Sequence, residues 1–350
     1  MGILRVNVTE FLNLAKHNPV FDVRSPSEYA HAHIPGAHSL PIFTDAQRAE
    51  IGTMYKQEST SKAIKIGFSH FGPQLNEYIE KVEQVVSVTS SKKVLVHCWR
   101  GGMRSGAMAW VLDFYGYDVV LLDGGYKAYR NLVLQQFSLP IRFTILGGYT
   151  GSGKTEILLE LKKRGEVVID LEGLASHKGS SFGALGMNTQ PTQEQFENNL
   201  HQELSQFIIV DEQGNFIQKN NIWIENESQR IGLVNIPKPL FLNIEVSSLI
   251  NINIPFEERL KFITSYYGNF PNDQLVTAIM RIQKRLGGLE TKNAINFLLE
   301  NNTIECFRIL LSYYDRQYIL AAKRITRVPK IIEAEAIDPI ANATLLLNSI

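Results

Sequence analysis

Short apolar runs alternate with longer amphipathic stretches over the first 135 or so residues. "PVFDVR" (19–24), "KVLVHC" (93–98) and "DVVLLDGG" (118–125) have the length and composition of buried strands. Between them, "PQLNEYIEKVEQVVSV" and "SGAMAWVLDFYGY" place apolar residues at helical spacing. This alternation predicts an α/β fold with a parallel sheet covered by helices on both faces. "YKAYRNLVLQQF" reads as a closing helix, and "SLPIRFTILGG" (138–148) opens a new strand. A domain boundary is therefore expected at 135–141, and the domains are drawn as 1–138, 139–255 and 256–350.

From residue 141 the pattern restarts as strand, glycine-rich loop and helix (155–164). "EVVIDLEG" (166–173), "NIWIENESQRIG" (221–232) and "LFLNIEV" (240–246) are read as further strands. Residues 174–195 are rich in Gly, Ser and Thr and read as a functional loop. After Pro255 the periodicity becomes helical and is expected to stay so to the end, as a mainly helical part packed on the preceding domain.

A chain of 350 residues is longer than most single cores, which supports more than one domain. Formal net charge is zero, so no global field advertises a polyanion or a membrane. Only Cys98 and Cys306 are present, which excludes a disulfide scaffold and points to a reducing compartment. No CxxC or HExxH spacing occurs, and nothing calls for zinc, haem or flavin. The N-terminus lacks a signal-peptide core, and no apolar run is long enough to span a bilayer, so a cytoplasmic protein is expected.

"VHCWRGGMRSG" (96–106) sets a thiol between a strand and a glycine-rich turn leading into a helix at about Ser105. Backbone N–H groups at a helix N-terminus favour anions. With Arg100 and Arg104 they are expected to lower the Cys98 pKa and favour the nucleophilic thiolate. Gly101 and Gly102 are expected to supply the unusual backbone conformations such a loop needs. Cys98, Arg100 and Arg104 are thus the candidate catalytic residues.

"GGYTGSGKT" (147–155) fits G-x4-G-K-[ST], the phosphate-binding P-loop, with a strand before it and a helix after. Gly148, Gly151, Ser152, Gly153, Lys154 and Thr155 are the candidate phosphate ligands, and Thr155 is placed to bind Mg²⁺. Asp170 and Glu172 are expected at the end of one neighbouring strand, and Glu225 and Glu227 at the end of another. Glu225 leads as the acid that organises metal and water, followed by Asp170 and Glu172. His177, Lys178, Ser180 and Ser181 form a candidate lid beside the cradle. Residues 281–330 hold Arg281, Lys284, Arg285, Lys292, Arg308, Arg316, Lys323, Arg324, Arg327 and Lys330 against four acids, a local excess suited either to RNA phosphates or to ordinary solvated helix faces.

"FDVRSPSEYAHAHIPGAHSLP" (21–41) and "GYDVVLLDGGYKAYR" (116–130) resemble the opening and closing motifs of rhodanese domains, whose catalytic cysteine maps onto Cys98 and carries sulfur or selenium covalently. In that motif Asp22 and Arg24 brace the fold and His33 is structural. Arg104 stands six positions after Cys98, a Cys-x5-Arg spacing shared with dual-specificity phosphatases and suited to a tetrahedral oxoanion such as selenophosphate. "HCWRGGMRS", "GGYTGSGKT" and "DLEGLASHKGSSFG", in that order, resemble the tRNA 2-selenouridine synthases. The resemblance implies a rhodanese-like parallel sheet with flanking helices, a P-loop NTPase-like α/β domain and a helical C-terminal segment. It also implies exchange of the sulfur of wobble 2-thiouridine in tRNA for selenium, with geranyl diphosphate and selenophosphate as co-substrates and a selenophosphate-supplying enzyme as partner. The residues alone leave two other readings open: a sulfurtransferase or Cys-x5-Arg phosphatase joined to an ATP- or GTP-binding domain, and a non-catalytic nucleotide-switched module.

Overall fold

The computed structural model describes residues 2–89, 91–210, 216–322 and 327–349. Of the basic residues named above, Lys323 and Arg324 lie outside the described residues. The chain divides into two compact units, Met1–Gln136 with Glu197–His201, and Phe137–Phe196 with Gln202–Ile350.

The first unit is built on a parallel sheet of five strands in the order Leu4–Val6, Asp118–Leu122, Lys93–His97, Val20–Asp22 and His38–Ser39. The central strand Lys93–His97 is covered on both faces. Val94, Val96 and Cys98 join a core with Tyr78 and Val82 of the helix Leu75–Thr89 and Met108 and Leu112 of the helix Met103–Tyr115. His97 alternates to the other face, against Phe11 and Tyr126. At the end of the strand Val20–Asp22, Arg24 donates from Nε to both Asp22 carboxylate oxygens at 2.9 Å, and both residues are buried. The guanidinium also bonds the Ala32 carbonyl and lies 3.8 Å from the Tyr126 ring centroid. A buried charge is tolerable only when paired and bonded in this way.

The second unit has its own parallel sheet, ordered Lys330–Glu333, Ser248–Asn253, Phe143–Gly147, Ile222–Glu225 and Val167–Val168. Leu146, Trp223 and Ile250 pack against Ile157, Leu158 and Leu161 of the helix Lys154–Lys163, and against Ala343 and Leu346 near the C-terminus. A separate helical core gathers Leu260, Ile279, Leu298, Phe307 and Leu310. Among the described residues no helix is long and apolar enough to cross a membrane.

Three expectations change. Residues 240–246 belong to the helix Lys238–Val246 instead of a strand. Pro239 suits a helix's first turn, and the buried pair Leu240 and Ile244 repeats every four residues. The strand role passes to Ser248–Asn253, beside the first strand of the unit. The run 166–173 is strand only at Val167–Val168, after which Asp170 caps the helix Leu171–Ala175. The helical end also contains an edge strand, Lys330–Glu333, which completes the sheet.

Candidate active sites

In both units a glycine-containing loop leaves the C-terminal end of a central strand and enters a helix, the position at which open parallel sheets bind ligands. In the first unit the strand ends at His97, and the helix begins at Met103, two residues earlier than expected. Gly101 takes φ +66, and a Cβ there would stand 2.7 Å from the Leu122 carbonyl oxygen. Gly102 has open space around it and a negative φ, so the close approach that demands a glycine is at Gly101. The loop is strapped by three hydrogen bonds. Tyr126 N–H donates to the Cys98 carbonyl at 2.8 Å, Lys127 N–H to that of Trp99 at 3.0 Å, and Arg5 Nη1 to that of Gly101 at 3.1 Å.

Cys98 Sγ lies 3.2 Å from the Ser105 hydroxyl. Burial opposes ionisation and is the largest single influence on the thiol. The Ser105 hydroxyl and N–H, the Arg100 N–H and the Arg104 charge together outweigh it, so the pKa falls below the ordinary thiol value. Arg104 is itself held by Glu28, at 2.6 Å. Arg100 acts on the sulfur through its backbone, and its side chain is exposed. Cys306, by contrast, is buried in the helical core, and burial pushes its thiol up to about 12.

In the second unit a cavity of about 420 Å³ is lined by Gly148, Gly151, Ser152, Gly153, Lys154 and Thr155. Lys154 Nζ donates to the loop's own Gly148 carbonyl at 3.3 Å, which leaves it poised over the cradle. Thr155 Oγ1 donates to Glu225 Oε1 at 2.8 Å. Glu225 is 1% exposed, and its Oε2 has no hydrogen-bond partner. One carboxylate oxygen from each of Glu172, Glu225 and Glu227 lies within 4.8 Å of the others. Burial, reinforced by the Glu225 charge, pushes Glu172 up to about 10 and Glu227 to about 7, and burial with the Asp170 charge raises Glu225 as well. Hard oxygen donors around a buried carboxylate oxygen that accepts no hydrogen bond fit a Mg²⁺ ion.

Two of the four lid candidates lie at this cavity, and His177 and Ser181 are not among the residues that line it. Lys178 and Ser180 line it. Lys178 is tied to the Tyr266 hydroxyl, and Ser181 Oγ lies 2.6 Å from that of Tyr314. His177 is half-buried, and burial lowers its pKa.

A family model described as the tRNA 2-selenouridine synthase AAA domain matches residues 141–328, and one described as a rhodanese-like domain matches 7–132. Proteins called tRNA 2-selenouridine synthase are similar along most of the chain. That of a Sulfurovum species is 31% identical, covering 89% of each chain. That of Marinobacter nauticus is 32% identical, covering 90% of this chain and 91% of the relative. That of Hydrogenovibrio crunogenus is 34% identical over 78% and 77%. The chain belongs to the tRNA 2-selenouridine synthase family.

The structure brings together most of what the motifs of this synthase family suggested, and adds to it. The cradle residues, Glu172 and Glu225 meet at one cavity, whereas Asp170 Oδ1 accepts from Gly173 N–H as a helix cap. Glu227 joins the carboxylates, because two residues beyond Glu225 the chain turns back toward the cradle. Ser105 and Glu28 join the cysteine site. Glu28 stands in the opening rhodanese-like motif with Asp22 and Arg24, and as the fourth residue of "SPSE", a helix-capping pattern, its Oε2 accepts from Ser25 N–H.

Proposed function

We propose that this enzyme replaces the sulfur of wobble 2-thiouridine in tRNA by selenium, alkylating at the glycine cradle and selenating at Cys98. In the first step the thiocarbonyl sulfur attacks C1 of geranyl diphosphate. The C–O bond breaks with its electron pair passing to diphosphate, and N3 of the base loses its proton. The cradle amides and Lys154 meet the charge that develops on the leaving diphosphate. Thr155, Glu172, Glu225 and Glu227 would hold Mg²⁺. When bound, that ion supplies further neutralisation of the diphosphate.

In the second step the Cys98 thiolate attacks the phosphorus of selenophosphate. An S–P bond forms, the Se–P bond breaks, and selenium leaves as hydroselenide with the bonding pair. Hydroselenide adds at C2 of the alkylated base, the C2–S bond breaks and geranyl thiolate departs. Water hydrolyses the S-phosphocysteine to phosphate. This route is redox-neutral, whereas a Cys–S–Se adduct drawn from selenophosphate with phosphate as co-product would need an oxidant. The observation that carries the reading is the Cys98 sulfur at the head of a strand–loop–helix turn, 3.2 Å from the Ser105 hydroxyl and with Arg104 at the Cys-x5-Arg spacing, which suits attack on a phosphate-sized donor. A selenophosphate-supplying enzyme is then the upstream partner. Arg281, Lys284, Arg285, Lys292 and Arg316 are exposed and offer contacts to tRNA phosphates, whereas Arg308 is paired with Glu257 and Arg327 bonds backbone carbonyls.

The test is nucleoside mass spectrometry of tRNA from cells lacking the gene, complemented with single variants. Cys98→Ala is expected to accumulate S-geranyl-2-thiouridine, and Lys154→Ala to stop at 2-thiouridine. Restoration of selenouridine by both would overturn the scheme.

A further inference from the structure

Beside the cysteine loop, within the first unit, lies an apolar cavity of about 550 Å³. Three helices face it, each with an apolar pair one turn apart. They are Ile51 and Tyr55 of Asp45–Gln57, Ile64 and Phe68 of Thr60–Phe71, and Met103 and Ala107 of Met103–Tyr115. Tyr55 is 52% exposed, Phe68 63% and Met103 60%, so large apolar side chains are held open to solvent around the cavity. Leaving such a surface uncovered is costly unless a ligand covers it.

The cavity is continuous with the site already described. Gly102 and Arg104, which shape the anion loop, also line it. Its cationic side chains are engaged elsewhere, Arg5 with the Gly101 carbonyl and Arg104 with Glu28. A nucleobase or sugar inside would leave its polar edges unpaired, at a penalty that a hydrocarbon does not incur. An aliphatic chain gains with every methylene it buries.

We infer that this cavity is the binding site for the isoprenoid chain of the S-alkylated base during selenation, seating C2 of that base beside the Cys98 loop. The inference rests on the two-step reading above and assigns the apolar half of that substrate to named residues. It gives the first-step alkyl group a second use, as the handle by which the selenation site selects alkylated over unalkylated RNA.

The test reads the site directly, through protection of Cys98 in the full-length enzyme from iodoacetamide. The probes are short oligoribonucleotides carrying one S-methyl-, S-prenyl- or S-geranyl-2-thiouridine. In the wild type the half-protecting concentration is expected to fall at least about tenfold from S-methyl to S-geranyl. Ile64→Asn with Phe68→Ser changes two solvent-exposed positions, and an unchanged Tm checks that the variant folds. It is expected to abolish the dependence on chain length while leaving S-methyl protection intact. Ala107→Leu, which fills the cavity, is expected to act in the same direction. Protection independent of chain length in the wild type, or equally dependent in the variants, overturns the inference. A shift of the double variant from dimer to monomer with the chain-length dependence retained also overturns it, and marks the patch as an interface between copies. Selenation of the same oligonucleotides by selenophosphate is followed separately. Its failure for every alkyl group sinks the two-step reading, whereas equal KM for all three sinks only the isoprenoid pocket.

Discussion

Arg104 and Glu28 form a two-pronged ion pair, Nη1 to Oε2 at 2.6 Å and Nη2 to Oε1 at 3.4 Å. The same carboxylate accepts from Ser25 N–H and from Arg48 Nε. Partial burial pushes the Glu28 carboxyl up, but the Arg104 bonds and charge prevail and hold it below the usual range. Glu28 therefore positions a side-chain cation that acts on the cysteine. Glu28→Ala frees that guanidinium without removing its charge. Selenation is expected to fall about tenfold while iodoacetamide alkylation of Cys98 at neutral pH is not slowed. Equal losses in both assays would mean that Glu28 merely holds the loop's shape.

Ser105 is the strongest counterweight to burial at Cys98, as the nearest hydroxyl to the sulfur. Ser105→Ala removes a donor that favours the thiolate, so the thiol pKa must rise. The midpoint of the alkylation–pH profile is expected to move up, and the rate at pH 7 to drop roughly threefold to tenfold. An unmoved midpoint would assign the whole effect to backbone N–H groups and Arg104.

Gly125 is where the closing motif meets the cysteine loop. It sits at φ +61, and a Cβ there would stand 2.4 Å from the Cys98 carbonyl oxygen and 2.5 Å from Gly101 N. Gly125→Ala is expected to cost at least about 2 kcal/mol in urea unfolding and to abolish the enhanced reactivity of Cys98. Gly102→Ala, in open space at negative φ, is expected to change stability by about 1 kcal/mol or less. The ordering of the two variants is the check, since equal losses would contradict the contact.

The carboxylates at the cradle make stability depend on pH in a defined direction. Their folded pKa values are raised, so the native state keeps protons that the unfolded chain has lost. Stability is fully present below the usual glutamate value of 4.5. It is lost as pH rises, through about 7 for Glu227 and on toward about 10 for Glu172. The lowered carboxyls Asp22 and Glu28 and the lowered imidazoles His97, His177 and His201 work oppositely, the carboxyls up to about pH 5 and the imidazoles up to about pH 7. In EDTA, differential scanning calorimetry should show the Tm of the wild type falling relative to that of Glu172→Gln from pH 5 to pH 8, and Mg²⁺ at pH 8 should reverse that relative fall. A wild-type Tm that keeps pace with the variant's and ignores Mg²⁺ would remove the cation site.

Both reactive loops were legible in the linear chain because each is built from consecutive residues. A strand, a glycine turn and a helix N-terminus aim neighbouring N–H groups at one point, and that geometry depends on few residues outside the segment. Cys98, Arg104, Lys154 and Thr155 could be named on that ground alone. The electrostatics of the loops depended on distant chain. Glu28 reaches Arg104 across 76 positions and Glu225 reaches Thr155 across 70. Only strand order brings such pairs together, and no local pattern encodes it. The run 240–246 was misread for a related reason: a short apolar stretch fits a helix or a strand equally well until a neighbour takes the place in the sheet, as Ser248–Asn253 does here. The apolar cavity beside the cysteine loop takes its walls from several segments of the chain. Its helices look amphipathic or merely polar one by one, and a hydrocarbon-lined hollow exists only where three of them meet. Chemistry carried by contiguous backbone was thus written in the sequence, whereas chemistry that needs several elements to converge was decided by the fold.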